Sequence, residues 1–337
     1  QTKRNPMLEG LSLLDTERLN FSEGGLFVLN LTLAFIMFGV ALGIKPDHFR
    51  RVALNPKPVL IGVFSQFLFL PAITFLLVLL LNRVITPTVA MGMILVASCP
   101  GGNISNFISS LAKGNVALSV SLTAIATLAA IFMTPLNFSL WGKLYLVFAP
   151  KEASDLLQEL VINPVEMFKT VFILLGIPLV VGMWFNHKFP KLTDKIIKPI
   201  RNISIVIFMA LVVIMFSNNY DFFIDHIFYI FLIVLFHNAL ALSTGFSAAS
   251  VFKVNRSNRR SISIETGIQN SGLALVLLFN PRIFPVSLDN GGMAFIAAWW
   301  GIWHILAGMG IAWIWSRIPL SERVRWRYFL PKKYWRR

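Results

Sequence analysis

Long apolar runs, each close to the length that crosses a bilayer, recur along this chain and dictate most of what it can become. They fall near 25–44, 58–81, 88–110, 114–140, 165–185, 199–217, 224–250, 261–281 and 290–316. A hydrocarbon core about 30 Å thick is spanned by roughly 20 residues of helix. Lipid offers no hydrogen-bond partners, so a spanning segment of this length must satisfy its own backbone as a helix. The rest of the composition agrees. Hydrophobic residues make up 56% of the 337 and charged residues 13%, about half the charge density of a soluble domain. The expectation is an all-α polytopic membrane protein with about nine transmembrane helices.

Charge placement gives the orientation. The net charge is +15, but Lys and Arg sit in short blocks between apolar runs. They form no single basic face, so nucleic acid is not an expected partner. With the N-terminus outside, the inner segments 45–57, 111–113, 186–201, 251–260 and 317–337 carry 22 Lys and Arg, and the outer segments carry 7. That asymmetry follows the positive-inside pattern. It predicts an outer segment 1–24, a membrane domain 25–316 and a cytoplasmic tail 317–337 in an inner or plasma membrane. Residues 1–24 lack a basic stretch followed by an apolar one, so they are not expected to be a signal peptide. The tail, RVRWRYFLPKKYWRR, mixes aromatic and basic residues as an interfacial anchor does.

Two runs are interrupted. The third reads TVAMGMILVASCPGGNISNFISSLA, with Pro100, Gly101 and Gly102 followed by Asn103, Ser105 and Asn106. Proline removes a backbone donor and glycine destabilises a helix interior, so the helix should break there. The eighth, SISIETGIQNSGLALVLLF, carries Glu265, Thr266, Gly267, Gln269, Asn270, Ser271 and Gly272. A Pro-Gly pair by itself marks only a bend. Two polar breaks, one with a carboxylate, in segments that enter the membrane in opposite directions point to the inverted repeats of secondary transporters.

The chemistry of these residues is that of hard oxygen donors. Glu265 is the one acidic residue placed deep within a run, where a charge costs at least ~2.5 kcal/mol and usually serves an ion or proton path. Gln269 follows four residues on, Ser119 and Thr123 share one helical face, and Gln66 interrupts the second run. With no His or Cys among them they suit an alkali cation better than Zn²⁺ or copper. One carboxylate is too few for an ordinary Ca²⁺ site. The residues leave open a proton relay through Glu265. Asn103 and Asn270, at the breaks, are candidates to contact an anionic substrate, because half-helix N-termini offer unpaired N–H groups and a positive dipole end. His237, Asn238 and His304 lie in apolar runs, where such residues commonly bridge helices. No Walker loop, GxSxG elbow or HExxH pair occurs, so no enzyme activity is expected. A membrane receptor that binds a ligand without moving it is the alternative from another class.

The segments CPGGNISN (99–106), AKGNVALSVSLTAIATL (112–128) and ETGIQNSGLAL (265–275), together with MFGVALGIKPDHF (37–49), resemble the bile acid:sodium symporter family over about 30–315. The resemblance implies a panel domain (25–57, 165–217) beside a core domain (58–140, 224–316), with two discontinuous helices crossing in the core. It implies two Na⁺ sites. One would use Ser105, Asn106, Ser119, Thr123 and Glu265. The other would use Gln66, Gln269 and Glu265 with backbone carbonyls around Thr266 and Ile268. Ile305 after His304 departs from some bacterial relatives, which have Asn there. The expected function is Na⁺-driven symport of an organic anion such as a bile acid, pantoate or a related carboxylate or sulfonate, with a single copy sufficing. The proton-coupled form is the alternative.

Overall fold

Prolines and asparagines set the starts of the helices. A computed structural model describes residues 6–15, 23–45, 54–149, 163–217, 220–284 and 288–318. Pro6–Ser12 forms α1, followed by a single 3₁₀ turn at Leu13–Asp15, and Glu23–Leu42 forms α2. Next come α3 (Pro56–Leu80), α4 (Pro87–Ser98), α5 (Ile104–Leu111) and α6 (Val116–Phe148). The chain continues through α7 (Pro164–Lys188), α8 (Pro190–Ser217), α9 (Tyr220–Val251), α10 (Arg256–Gly267), α11 (Ser271–Leu278) and α12 (Gly291–Ser316). Pro56, Pro87 and Pro164 occupy first-turn positions, where the missing N–H costs nothing. The side chains of Asn115, Asn163, Asn255 and Asn270 each accept a first-turn N–H, the usual N-cap role of asparagine.

Each apolar run of the sequence coincides with a helix or, at the two polar breaks, with a pair of half-helices. Among the described residues, five helices are long and apolar enough to cross a membrane: α3, α6, α7, most of α9 (His226–Val251) and α12. No strand occurs among the described residues beyond one isolated bridge. The helices pack pairwise. Helices α7 and α8 pack on α2, while α12 packs on α4, α9 on α10, and α11 on α12; α7 also packs on α6 and α11 on α2.

Helix α3 is not uniform. Its residues Ser65–Phe69 form a π turn, and Pro71 explains it. Pro71 has no N–H for the carbonyl of Phe67 four residues back, and the side chain of Asn137 on α6 donates to that carbonyl at 2.9 Å. A second π turn, Phe172–Gly176 in α7, likewise precedes a proline, Pro178.

The segment before α2 differs from its polar reading. Leu11 and Leu14 are fully buried, and Gly10 lies against the ring of Tyr229 on α9. Asp15 is buried as well and accepts the hydroxyl of Thr88 in the first turn of α4. Burial pushes its carboxyl above the ordinary value, against the opposing pull of that hydroxyl. The tail from 319 on and residues 46–49 of the MFGVALGIKPDHF segment lie outside the described residues.

Candidate functional site at two crossed helix breaks

The broken helices meet at their breaks. Helix α4 ends at Ser98 and α5 begins at Ile104; α10 ends at Gly267 and α11 begins at Ser271. Between them the backbone is extended, and each break satisfies the other. The N–H of Gly102 donates to Ile268 O at 2.6 Å, and that of Asn270 donates to Pro100 O at 2.8 Å. Gly101 and Gln269 thereby form a one-pair antiparallel bridge. Polar backbone that cannot be left bare in an apolar interior is paired with its counterpart. Gly101 is required by this approach, since a Cβ there would stand 2.7 Å from Glu265 Oε1.

Glu265, in the last turn of α10, lies at the centre. Its Oε2 accepts from Ser105 Oγ at 2.6 Å and from Ser119 Oγ at 3.2 Å. Its Oε1 accepts from Thr123 Oγ1 at 2.7 Å. Thr123 also faces Asn106 Oδ1 at 3.3 Å. Three elements, α5, α6 and α10, thus bring together all five residues of the first expected set. Ser105, Ser119, Thr123 and Glu265 are buried, and the described residues form no ion pair with this carboxylate. An unpaired carboxylate enclosed by hydroxyl oxygens is costly to charge in a low-dielectric interior. A small cation with the same oxygens as ligands removes that cost.

The second expected set is assembled only in part. Gln66, in the π turn of α3, donates through Nε2 to Cys99 O at 2.9 Å and to Gln269 Oε1 at 2.8 Å. Gln269 Nε2 donates to Thr266 O at 2.7 Å. Gln66 Oε1 is buried with no protein partner, as is Asn238 Oδ1 beside the same break. Asn238 Nδ2 donates to Gly267 O at 2.7 Å. A buried acceptor left without a partner beside this break is a donor a cation could use. Ile268 O, in contrast, is engaged by Gly102, and both oxygens of Glu265 are turned to the hydroxyls of the first set. Sequence reasoning set Asn238 aside as a helix bridge; its place beside Gly267 was signalled only by its polarity in an apolar run.

A cavity of about 650 Å³ adjoins the breaks. Asn103 and Asn270 both line it, together with Asn106, Thr123 and Gln269. Asn103 makes no side-chain cap on α5, whereas Asn270 Oδ1 is committed to Leu273 N–H at 3.1 Å. Another wall is the apolar stripe of α2 from Leu33 to Val40, continued by Gly43 and Ile44 just beyond the helix, with Asn202 and Ser204 of α8. These two polar residues escaped the sequence reading because they follow a basic block that reads as loop. His304 and Ile305 of α12 also line the cavity, and no Lys, Arg, Asp or Glu side chain does among the described residues. His237 lies elsewhere, bonded through Nε2 to Thr74 Oγ1 at 2.9 Å with its ring on Trp300, a bridge between helices.

A bundle with apolar helices of membrane-spanning length, two interrupted helices crossing at a buried carboxylate, and a cavity beside the crossing belongs to the class of integral membrane transporters. Comparison with known proteins supplies the family. A family model described as the Sodium Bile acid symporter family matches residues 30–226. The chain is 32% identical to the uncharacterized sodium-dependent transporter YocS of Bacillus subtilis, over 89% of this chain and 88% of that protein. It is 31% identical to a probable chloroplastic sodium/metabolite cotransporter, BASS2 of Oryza sativa, over 79% of this chain and 62% of that protein. It is 26% identical to the ileal sodium/bile acid cotransporter of Oryctolagus cuniculus, over 82% and 78% respectively. The chain belongs to the Sodium Bile acid symporter family, whose named members are sodium-coupled transporters and not enzymes.

Proposed function

We propose that this protein carries an organic anion into the cell by symport with two Na⁺, through alternating access. The observation that carries the reading is the carboxylate of Glu265 held by the hydroxyls of Ser105, Ser119 and Thr123 at the crossing of the breaks. One Na⁺ binds among these oxygens and Asn106. The second binds near Gln66 and Gln269, where Gln66 Oε1 lacks a partner, with the carbonyls around Thr266 and Ile268 as further donors and Glu265 supplying charge to both. Glu265 serves both ions electrostatically, since opposite charges reinforce one another strongly away from water.

The substrate occupies the cavity, with Asn103 and Asn270 contacting its anionic group. Because no Lys or Arg among the described residues lines the cavity, the anion is held by amide dipoles, by half-helix N-termini and by the positive charge of the bound sodium ions. That makes anion affinity depend on sodium, which is what couples the two. Helices α2, α7 and α8 form the panel and the remaining spans the core, in nine spans with the N-terminus outside. In that orientation the lining residues of α2, α6 and α8 belong to the inner halves of their helices, so the cavity faces the cytoplasm. The two matched breaks, paired backbone to backbone, support an inverted repeat.

Uptake of a panel of carboxylates and sulfonates into proteoliposomes, with Na⁺ or K⁺ outside, tests the proposal. Substrate accumulation that requires Na⁺ and is lost in Glu265→Gln is the expected result. Accumulation that proceeds equally in K⁺ and follows a pH gradient would establish proton coupling instead.

A further inference from the structure

Helix α3 presents a second concave surface, on the side away from the ion site. Lys57, Leu60, Phe64 and Phe69 of α3 line it together with Phe252 at the end of α9, around a groove of about 340 Å³. Leu60, Phe64 and Phe252 are each about half exposed, as befits a surface that meets acyl chains. The π turn shapes this wall. From Lys57 the helical stripe runs through residues 60, 61 and 64, and the one extra residue of the π turn brings Phe69 into line in place of Leu68.

The mouth of the groove is positive. Lys57 is exposed there, and Lys253, also exposed, follows Phe252 directly. Lys253 has φ 55°, the left-handed conformation that favours glycine. A lysine there keeps an ammonium at a position where the backbone alone would select a smaller residue. No acidic residue occurs between Asp47 and Glu152 or between Asp225 and Glu265, so neither wall neutralises these charges.

We infer that this groove is a binding site for an anionic phospholipid of the leaflet at the Pro56 end of α3. The phosphate lies between Lys57 and Lys253, and one acyl chain runs along Leu60, Phe64 and Phe252 to Phe69. The site also reaches the ion machinery. Phe64 and Phe69 bracket the π turn on its outer side, and Gln66 leaves the same turn on its inner side to meet Cys99 O and Gln269. A chain packed on the outer face favours the wound state that aims Gln66 inward, so lipid and sodium bind with positive coupling, a reciprocal effect. The coupling rests on the sodium reading above; the lipid site does not.

The test uses the full chain, purified and exchanged into equimolar phosphatidylglycerol and phosphatidylcholine, with retained lipid counted by native mass spectrometry. The wild type is expected to retain phosphatidylglycerol about tenfold over phosphatidylcholine, since two basic residues at a surface each favour anionic lipid several-fold. Lys57→Gln/Lys253→Gln is expected to lose the preference while keeping its helical circular dichroism. Equal retention of both lipids by the wild type, or an unchanged preference in the double variant, overturns the site. Leu60→Trp, which fills the groove, should lower retention of both lipids with the lysines in place; unchanged retention also overturns it.

Sodium-dependent thermal stabilisation in nanodiscs of each lipid then reads the coupling. Phosphatidylglycerol should lower the half-saturating Na⁺ concentration for the wild type and not for the double variant. A lipid effect that persists in the double variant is surface potential alone and overturns the coupling. Absence of sodium stabilisation in every lipid sinks the sodium reading and leaves the retention result standing.

Discussion

Ser105 Oγ donates to Glu265 Oε2 at 2.6 Å, across 160 residues of chain. One partner opens the half-helix after the first break, and the other closes the half-helix before the second. The contact therefore exists only while the two breaks are crossed, and an ion that binds these oxygens holds the crossing together. Hydrogen bonds to charged groups are worth roughly 1.5–3 kcal/mol. Ser105→Ala is accordingly expected to weaken sodium-dependent stabilisation by at least about tenfold in half-saturating concentration. Unchanged sodium dependence would remove Ser105 from the site.

Gly101→Ala places a methyl 2.7 Å from Glu265 Oε1 and 3.2 Å from its backbone oxygen. Overpacking of this kind typically costs ~1–3 kcal/mol. The variant should melt lower than the parent and lose sodium-dependent stabilisation. Gly310→Ala, with nothing within 4 Å of its Cβ, is the control and should hold or raise the melting temperature. A Gly101→Ala protein with both properties intact would contradict the close approach.

Arg260 on α10 ties the ends of α5 and α12 together. It is buried, donates through Nη1 to Ala112 O at 2.8 Å and through Nη2 to Ile318 O at 2.9 Å, and lies over the Trp315 ring. Both carbonyls lie beyond helix C-termini, which favour a cation. Arg260→Met should cost about 2 kcal/mol or more, since it strands both carbonyls. Arg260→Lys, unable to fork, should recover only part. Equal melting temperatures for Arg260→Met and the parent would refute this role.

Cysteine accessibility tests the orientation. The native Cys99 is fully buried and should label slowly. Arg282→Cys should react with an impermeant maleimide from outside, and Ser257→Cys only after the membrane is permeabilised. Labelling of both from one side would end the nine-span arrangement.

Charge movement tests the stoichiometry. Two Na⁺ with one carboxylate leave the site near +1, and a monovalent anion brings it close to neutral, which lowers the cost of enclosing charge. If Glu265 returns charged, each cycle moves one positive charge inward, worth about 2.3 kcal/mol per 100 mV. Solid-supported-membrane recordings should give an inward current that needs both sodium and substrate. Uptake indifferent to membrane potential would rule out this stoichiometry.

The sequence by itself determined the helical class, the positions of the breaks and the identity of the carboxylate. These are local matters. Apolar length, a Pro-Gly-Gly run and a lone Glu265 in an apolar stretch have the same consequence in any tertiary setting, because lipid leaves the backbone so few options. The hydroxyl pair of Ser119 and Thr123 was legible for the same reason, since helical spacing alone puts both on one face. Tertiary structure decided what those groups meet. That Gly102 pairs with Ile268, that Glu265 turns both oxygens to hydroxyls and not to Gln269, and that Asn202 and Ser204 join the cavity wall all depend on packing between segments far apart in the chain. Pro71 shows the boundary between the two. Its missing N–H was readable and predicts a disturbed turn. Only the fold supplies Asn137 to take the freed carbonyl of Phe67, and the resulting π turn is what aims Gln66 at the second break.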